Sequence, residues 1–255
     1  MVWYKSWLET RWRFLIGLAL LMCSAAGVVL MYPKVVKLLA VVPTLELDGA
    51  IGRRVKESAE LARQYPGYVW SQWFAQNLTE LWTLFAVMLG TGGLLSQGSG
   101  GAALFTLSLP VSRNRLIGVR AAAGLAELLV LAVVPSLLIP LLSPAVGERY
   151  PIADALVHSA CVFLAGAVFF SLAFLLSTVF SDVWRPALLA LTIAVVLGLC
   201  EQVFRDLSRY GIFGVMHAET YFRAGRVPWT GLLATTAVSA ALLYGAVMSI
   251  AHRDF

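Results

Sequence analysis

Apolar positions fall in long uninterrupted runs, and polar positions are confined to the joints between them. Six runs are long enough to cross a bilayer as helices, which takes about 20 residues each. They cover 14–32, 77–96, 116–142, 152–180, 186–204 and 230–251. The first, Phe14 to Tyr32, exceeds the roughly 7–15 residues of a signal-peptide core and ends without a small-residue cleavage site, so it is expected to stay as a span. Pro33 is expected to close it.

The joints carry their own patterns. Before span 1, Trp3, Tyr4, Trp7, Leu8 and Trp12 recur at helical spacing with Lys5, Glu9 and Arg13 mostly opposite, which predicts an amphipathic interfacial helix. In the polar segment 33–76, Leu47, Ile51, Val55, Ala59 and Ala62 recur about every four residues among charges, which predicts a second amphipathic helix on the membrane or on the protein. Tyr65, Tyr68, Trp70, Trp73 and Phe74 then crowd together, as aromatics do at the headgroup level. A tight loop with Pro144, Gly147 and Pro151 joins spans 3 and 4. Residues 205–229 are too mixed to span but hold Ile212, Phe213, Met216, Tyr221 and Trp229, which predicts short, part-inserted helices before span 6.

Composition agrees. Of 255 residues, 60% are apolar and 13% charged, against about 45–50% and 25% in soluble domains; mean hydropathy is +0.81. One transmembrane domain over 1–255 is expected, all-α, with no room for a separate soluble domain. The net charge of +5 is assigned to lipid-facing Lys and Arg rather than to nucleic acid. Arg11 and Arg13 precede span 1, and Arg113 and Arg115 precede span 3. Six other basic residues sit in the long 33–76 segment, which the charge rule weights less. The expectation is a multi-pass protein of the cytoplasmic (inner) membrane with both termini cytosolic.

Candidate chemistry is sparse. Cys23, Cys161 and Cys200 have no metal-ligand or disulfide spacing and are expected to pack. There is no HExxH and no phosphate-binding loop. His217-Ala218-Glu219 lacks the Pro-Cys-x-x-Cys of zinc deaminases, and Asp48-Gly49 lacks the second half of a phosphatidyltransferase motif. Ser99 and His158 are the pair an intramembrane serine protease would need, but Gln97 breaks the Gly-x-Ser-Gly order. No catalytic or metal-binding residue is expected. Glu127 is the deepest acid and lies seven residues, two turns, beyond Arg120 on span 3. A buried charge needs a partner, so both are read as a buried polar contact: an interhelical hydrogen bond, or alternatively a coupling contact. Gly118, Ala122 and Ala126, with Gly90, Gly92 and Gly93, are small residues suited to close helix packing or to a subunit seam.

The sharpest motif is Leu104-Phe105-Thr106-Leu107-Ser108-Leu109-Pro110-Val111-Ser112-Arg113-Asn114-Arg115, between spans 2 and 3. Its core, Leu107 to Arg113, resembles the coupling segment of the six-span permease subunits of ABC exporters, the type-2 ABC permease family. The amphipathic start, the part-inserted helices and the basic tail His252-Arg253 are similar to that family along the whole chain. The resemblance implies a cytosolic coupling helix whose Leu104, Phe105, Leu107 and Leu109 enter a groove on an ATPase. Pro110 would end that helix, and Arg113 and Arg115 would anchor span 3. It implies separate ABC ATPase subunits holding ATP and magnesium, no cofactor on this chain, and a second permease chain, identical or similar, around one path. Selectivity would then lie on spans 2 and 5. Gln97 to Ala103 lacks the family's acidic and basic residues, so docking would be mainly apolar. Two other readings are an intramembrane hydrolase or lipid-modifying enzyme, and a non-transporting immunity or sensor protein on the same fold.

Overall fold

Inside a bilayer every backbone N–H and C=O must be satisfied within its own segment, which leaves long apolar runs only the helix. The computed structural model describes residues 2–39, 59–91, 113–180, 182, 184–203 and 211–251, and among these there is no strand. The elements are α1 (Val2–Leu39), α2 (Tyr65–Val69), a π-helical stretch (Trp70–Leu78) and α3 (Thr79–Gly90). Then come α4 (Arg113–Leu142), a 3-10 turn (Ser143–Val146), α5 (Ile152–Val179) and α6 (Trp184–Val203). The chain ends with α7 (Ile212–Met216), α8 (Glu219–Ala224) and α9 (Trp229–Ala251).

Among the described residues five helices are long and apolar enough to cross a membrane: α1, α4, α5, α6 and α9. The last four match the expected boundaries within a few residues. The expected second span, 77–96, is different. The helix there starts at Tyr65, passes through the π stretch and stops at Gly90; residues 92–96 lie outside the described residues.

α1 departs from expectation twice. It is one helix of 38 residues, so the amphipathic start and the first apolar run are continuous, and Pro33 lies inside it. Proline removes one backbone donor, but Val35 and Val36 carry the apolar period on and pack against the core. The start of α1 also turns its polar face inward. Ser6 and Thr10 are buried, while Trp3, Tyr4, Trp7 and Trp12 are exposed.

The bundle has a lower end, where α1 starts, and an upper end, where α1 stops. α5 is its axle, packed against α3, α4, α6, α7 and α9. Some 61% of its most apolar stretch is buried, against 17% for α6 and α9, so those two present most of their apolar surface outward. Small residues make the axle possible. A Cβ on Gly166 of α5 would overlap the Trp82 ring and stand 2.9 Å from Met216, and one on Gly90 would stand 2.6 Å from the Phe170 carbonyl oxygen. Gly118, Ala122 and Ala126 do not share this role: all three are exposed on the outer face of α4.

The aromatic cluster Tyr65, Tyr68, Trp70, Trp73 and Phe74 is buried between helices. Tyr32 lies 4.8 Å from Tyr65 and 5.1 Å from Tyr68, centroid to centroid. Phe74 stacks on His158 at 4.5 Å, and Trp70 on Phe222 at 4.5 Å. Buried hydroxyls and indoles find partners: Tyr65 with Ser143 at 2.7 Å, Tyr68 donating to the Val28 carbonyl, and Trp73 donating to Ser136. Each tyrosine and tryptophan has an apolar body and one polar atom, which suits a core between helices as well as a headgroup layer. Cys161 is buried as expected; Cys23 and Cys200 are exposed.

Candidate functional site: polar clusters at the two ends of the bundle

At the lower end, α1 grips both neighbours. The Arg13 guanidinium donates to the Met88 carbonyl at 2.7 Å and to the Thr91 carbonyl at 3.1 Å. A cation there satisfies the free carbonyls at the end of α3 and meets the negative end of its dipole. Arg120 of α4 pairs with Glu9 at 3.1 Å. The Thr10 hydroxyl donates to Glu127 Oε1 at 2.6 Å, while Oε2 is buried without a hydrogen-bond partner. Arg120 and Glu127, grouped from their spacing on one helix face, are thus each tied to α1. For Glu127 the arrangement is the interhelical hydrogen bond.

The gripped ends, Thr91 and the start of α4, are the two ends of segment 92–112. Leu104, Phe105, Leu107, Leu109 and Pro110 lie outside the described residues, as does Ser99. Arg113 opens α4, its side chain lying outside the described residues, and Arg115 is exposed. His158 is 2% exposed and held between Phe74 and Tyr221.

At the upper end, a cleft of about 570 Å³ opens between α3, α6 and the α7–α8 turn. The π stretch turns Ala75 and Thr79 toward it. A π turn leaves backbone groups to be completed, and here side chains complete them: the Thr79 hydroxyl donates to the Phe74 carbonyl and the Asn77 amide to the Gln72 carbonyl. Glu80 and Thr83 follow on the same wall. Glu201 comes from the opposite wall and accepts the backbone N–H groups of Phe213 and Gly214 at 3.1 and 3.2 Å, capping α7. The close fit needs Gly211, whose Cβ would strike that carboxylate.

The floor is set by a turn with an unusual backbone. Ala218 adopts φ 50°, ψ 40°, a left-handed conformation that costs a non-glycine residue about 1 kcal/mol. The turn is pinned by the Trp70 indole donating to the His217 carbonyl at 2.9 Å and by the Tyr221 hydroxyl donating to Asp154 at 2.9 Å. It brings His217 and Glu219 to the cleft. Burial pushes the His217 imidazole down to about 4, against a smaller opposing pull from Glu219, so it is neutral at pH 7. Glu219 pairs at the rim with Arg223 at 2.7 Å.

In the sequence Glu80 and Glu201 read simply as interfacial acids near span ends, and His217-Ala218-Glu219 as an incomplete zinc motif. Thr83 gave no signal: a threonine in an apolar helix ordinarily bonds the preceding turn. Among the described residues no group of His, Cys, Asp and Glu is placed to hold a metal ion. No protein-family model, curated protein or solved structure matches the chain.

Proposed function

We propose that this chain is the permease subunit of an ATP-driven ABC exporter of the cytoplasmic membrane. The observation that carries the proposal is the segment Leu107 to Arg113, an apolar stretch closed by a proline and followed by two arginines. The five long apolar helices support it. So does the lower-end cluster, because a segment that passes on motion needs firm ends, and both helices flanking 92–112 are tied to α1.

In this reading the 65–90 helical stretch, continued past Gly90, is the second of six spans, and both termini are cytosolic. Segment 104–110 docks by Leu104, Phe105, Leu107 and Leu109 on a separate ATPase that holds ATP and magnesium. Closure of two ATPases pushes on α3 and α4 through this segment. A second permease chain, identical or similar, completes the path. The exposed apolar faces of α6 and α9 face lipid or that second chain. This chain performs no chemistry of its own: His158 is stacked and buried, a packing position.

The test is co-purification in mild detergent with candidate ABC ATPases from the same cell, followed by hydrolysis rates in lipid. A stable complex with altered hydrolysis is expected, and Leu107→Asp with Leu109→Asp should abolish both. An unchanged complex and rate in that double variant would remove the coupling assignment. A chain that purifies alone in every nucleotide state would favour the hydrolase reading.

A further inference from the structure

We propose that the upper cleft binds an amphipathic organic cation, with its charged head between Glu80 and Glu201 and its apolar body against the α3 and α6 walls. As a ligand site this stands by itself; as the substrate site of an exporter it rests on the reading above.

The size comes first. About 570 Å³ falls in the range of small-molecule pockets, roughly 300–1,000 Å³. The sign comes next. The described lining holds three carboxylates, Glu80, Glu201 and Glu219, and no Lys or Arg, in a chain of net charge +5. Glu219 is paired with Arg223. Glu201 is hydrogen-bonded to two backbone N–H groups but keeps lone pairs for a further donor. Glu80 is exposed at the mouth. His217, neutral at pH 7, adds no opposing charge. One sign of charge between low-dielectric walls concentrates counter-ions.

An independent observation comes from the wall. Thr83 is 7% exposed, lines the cleft, and its Oγ1 is buried without a hydrogen-bond partner. Other helical threonines here return their hydroxyl to the preceding turn, as Thr178 does to Leu175 and Thr235 to Gly231. A buried polar atom left open costs about 1–3 kcal/mol, and in a cleft the group that can satisfy it is the occupant. Thr83 lies one turn below Glu80, so a ligand reaching it passes the carboxylates first. Leu84, Leu191, Val195 and Phe213 supply the apolar surface. A bare metal ion would leave that surface unused, and an anion would meet the carboxylates.

The probe is tetraphenylphosphonium, with tetraphenylborate as its charge-reversed counterpart, measured by equilibrium binding to the full chain in lipid nanodiscs. Saturable binding of the phosphonium alone is expected. Glu80→Gln should weaken it by about threefold, the size of a partly screened charge contact. Glu80→Gln with Glu201→Gln should weaken it by about tenfold or more, since a desolvated charge contact is worth more. A phosphonium carrying one hydroxymethyl group on a phenyl ring should bind more tightly than the parent ion by pairing with the Thr83 hydroxyl, and Thr83→Val should remove that difference while leaving melting temperature equal or higher, which separates loss of a contact from loss of fold. Binding of both ions alike, absence of saturable binding, or indifference to all three substitutions would each overturn the proposal. Phosphonium binding without an ATPase complex would keep this site and remove the exporter; an ATPase complex without phosphonium binding would do the reverse.

Discussion

Gly166→Ala adds one methyl group where α5 crosses α3 closely. The new Cβ would overlap the ring of Trp82 and approach the Met216 terminal carbon at 2.9 Å. Met216 is flexible and can yield. Trp82 cannot: it is 0% exposed, and its indole N–H donates to the Leu128 carbonyl at 3.0 Å. Overpacking a rigid core costs about 1–3 kcal/mol, and shifting the indole off its acceptor adds about 1 kcal/mol. For a chain of this size 1 kcal/mol corresponds to about 2–4 °C, so the variant should melt at least several degrees lower in a detergent thermal-shift assay. Trp82→Phe removes the part of the ring that the methyl strikes. Placed on Gly166→Ala it should recover part of the loss, giving a coupling energy of about 1 kcal/mol or more in a double-mutant cycle. Wild-type melting in Gly166→Ala, or strictly additive losses in the double variant, would refute the view that α3 and α5 meet with no room to spare.

Two further outcomes follow from the same geometry. Thr10→Val leaves Glu127 with neither oxygen satisfied and should destabilise by about 1–3 kcal/mol, while Thr10→Val with Glu127→Met should recover most of it, because replacing both partners by apolar groups is nearly neutral; melting temperatures of the three variants decide this. The neutral His217 makes the fold acid-sensitive. Above pH 6.5 the imidazole is neutral both folded and unfolded; between 6.5 and about 4 only the unfolded chain takes up the proton, so stability falls as pH falls through that window. His217→Gln should flatten the melting-temperature profile between pH 7 and 4.5 relative to wild type.

Hydropathy made α4, α5, α6 and α9 legible because a run of twenty apolar residues has one structural outcome in a bilayer. It failed where composition and packing part company. Tyr65, Tyr68 and Trp73 have the composition of an interfacial belt, and nothing in that composition showed that they pack between α1, α4 and the 3-10 turn, since burial depends on neighbours far along the chain. Pro33 read as a stop, yet one lost hydrogen bond is outweighed by the packing of Val35 and Val36. The stripe Gly118, Ala122 and Ala126 had the spacing of a close helix crossing but faces outward, whereas Gly90, read with it for close packing, does make one, and Gly166, which no spacing marked, makes another. Of the upper cleft, only its acids were visible. The cleft itself depends on a π stretch, a left-handed alanine and the capping of α7 by Glu201, none of which has a periodic signature.

The central place of α5 also sets a timetable for assembly. Synthesis delivers α1 first, then α3 and α4, and only afterwards α5, against which α3 and α4 pack. Until α5 leaves the ribosome, Trp82 and Gly90 have no partner helix to close against, although the tie from Arg13 to the end of α3 and the ties from Arg120 and Glu127 to α1 can already hold the first three helices in register. The lower-end cluster therefore serves as a temporary frame, built before the core exists, and the arrival of α5 turns a loosely hinged set of helices into a fixed one. α6 and α9 come last and keep most of their apolar surface outward.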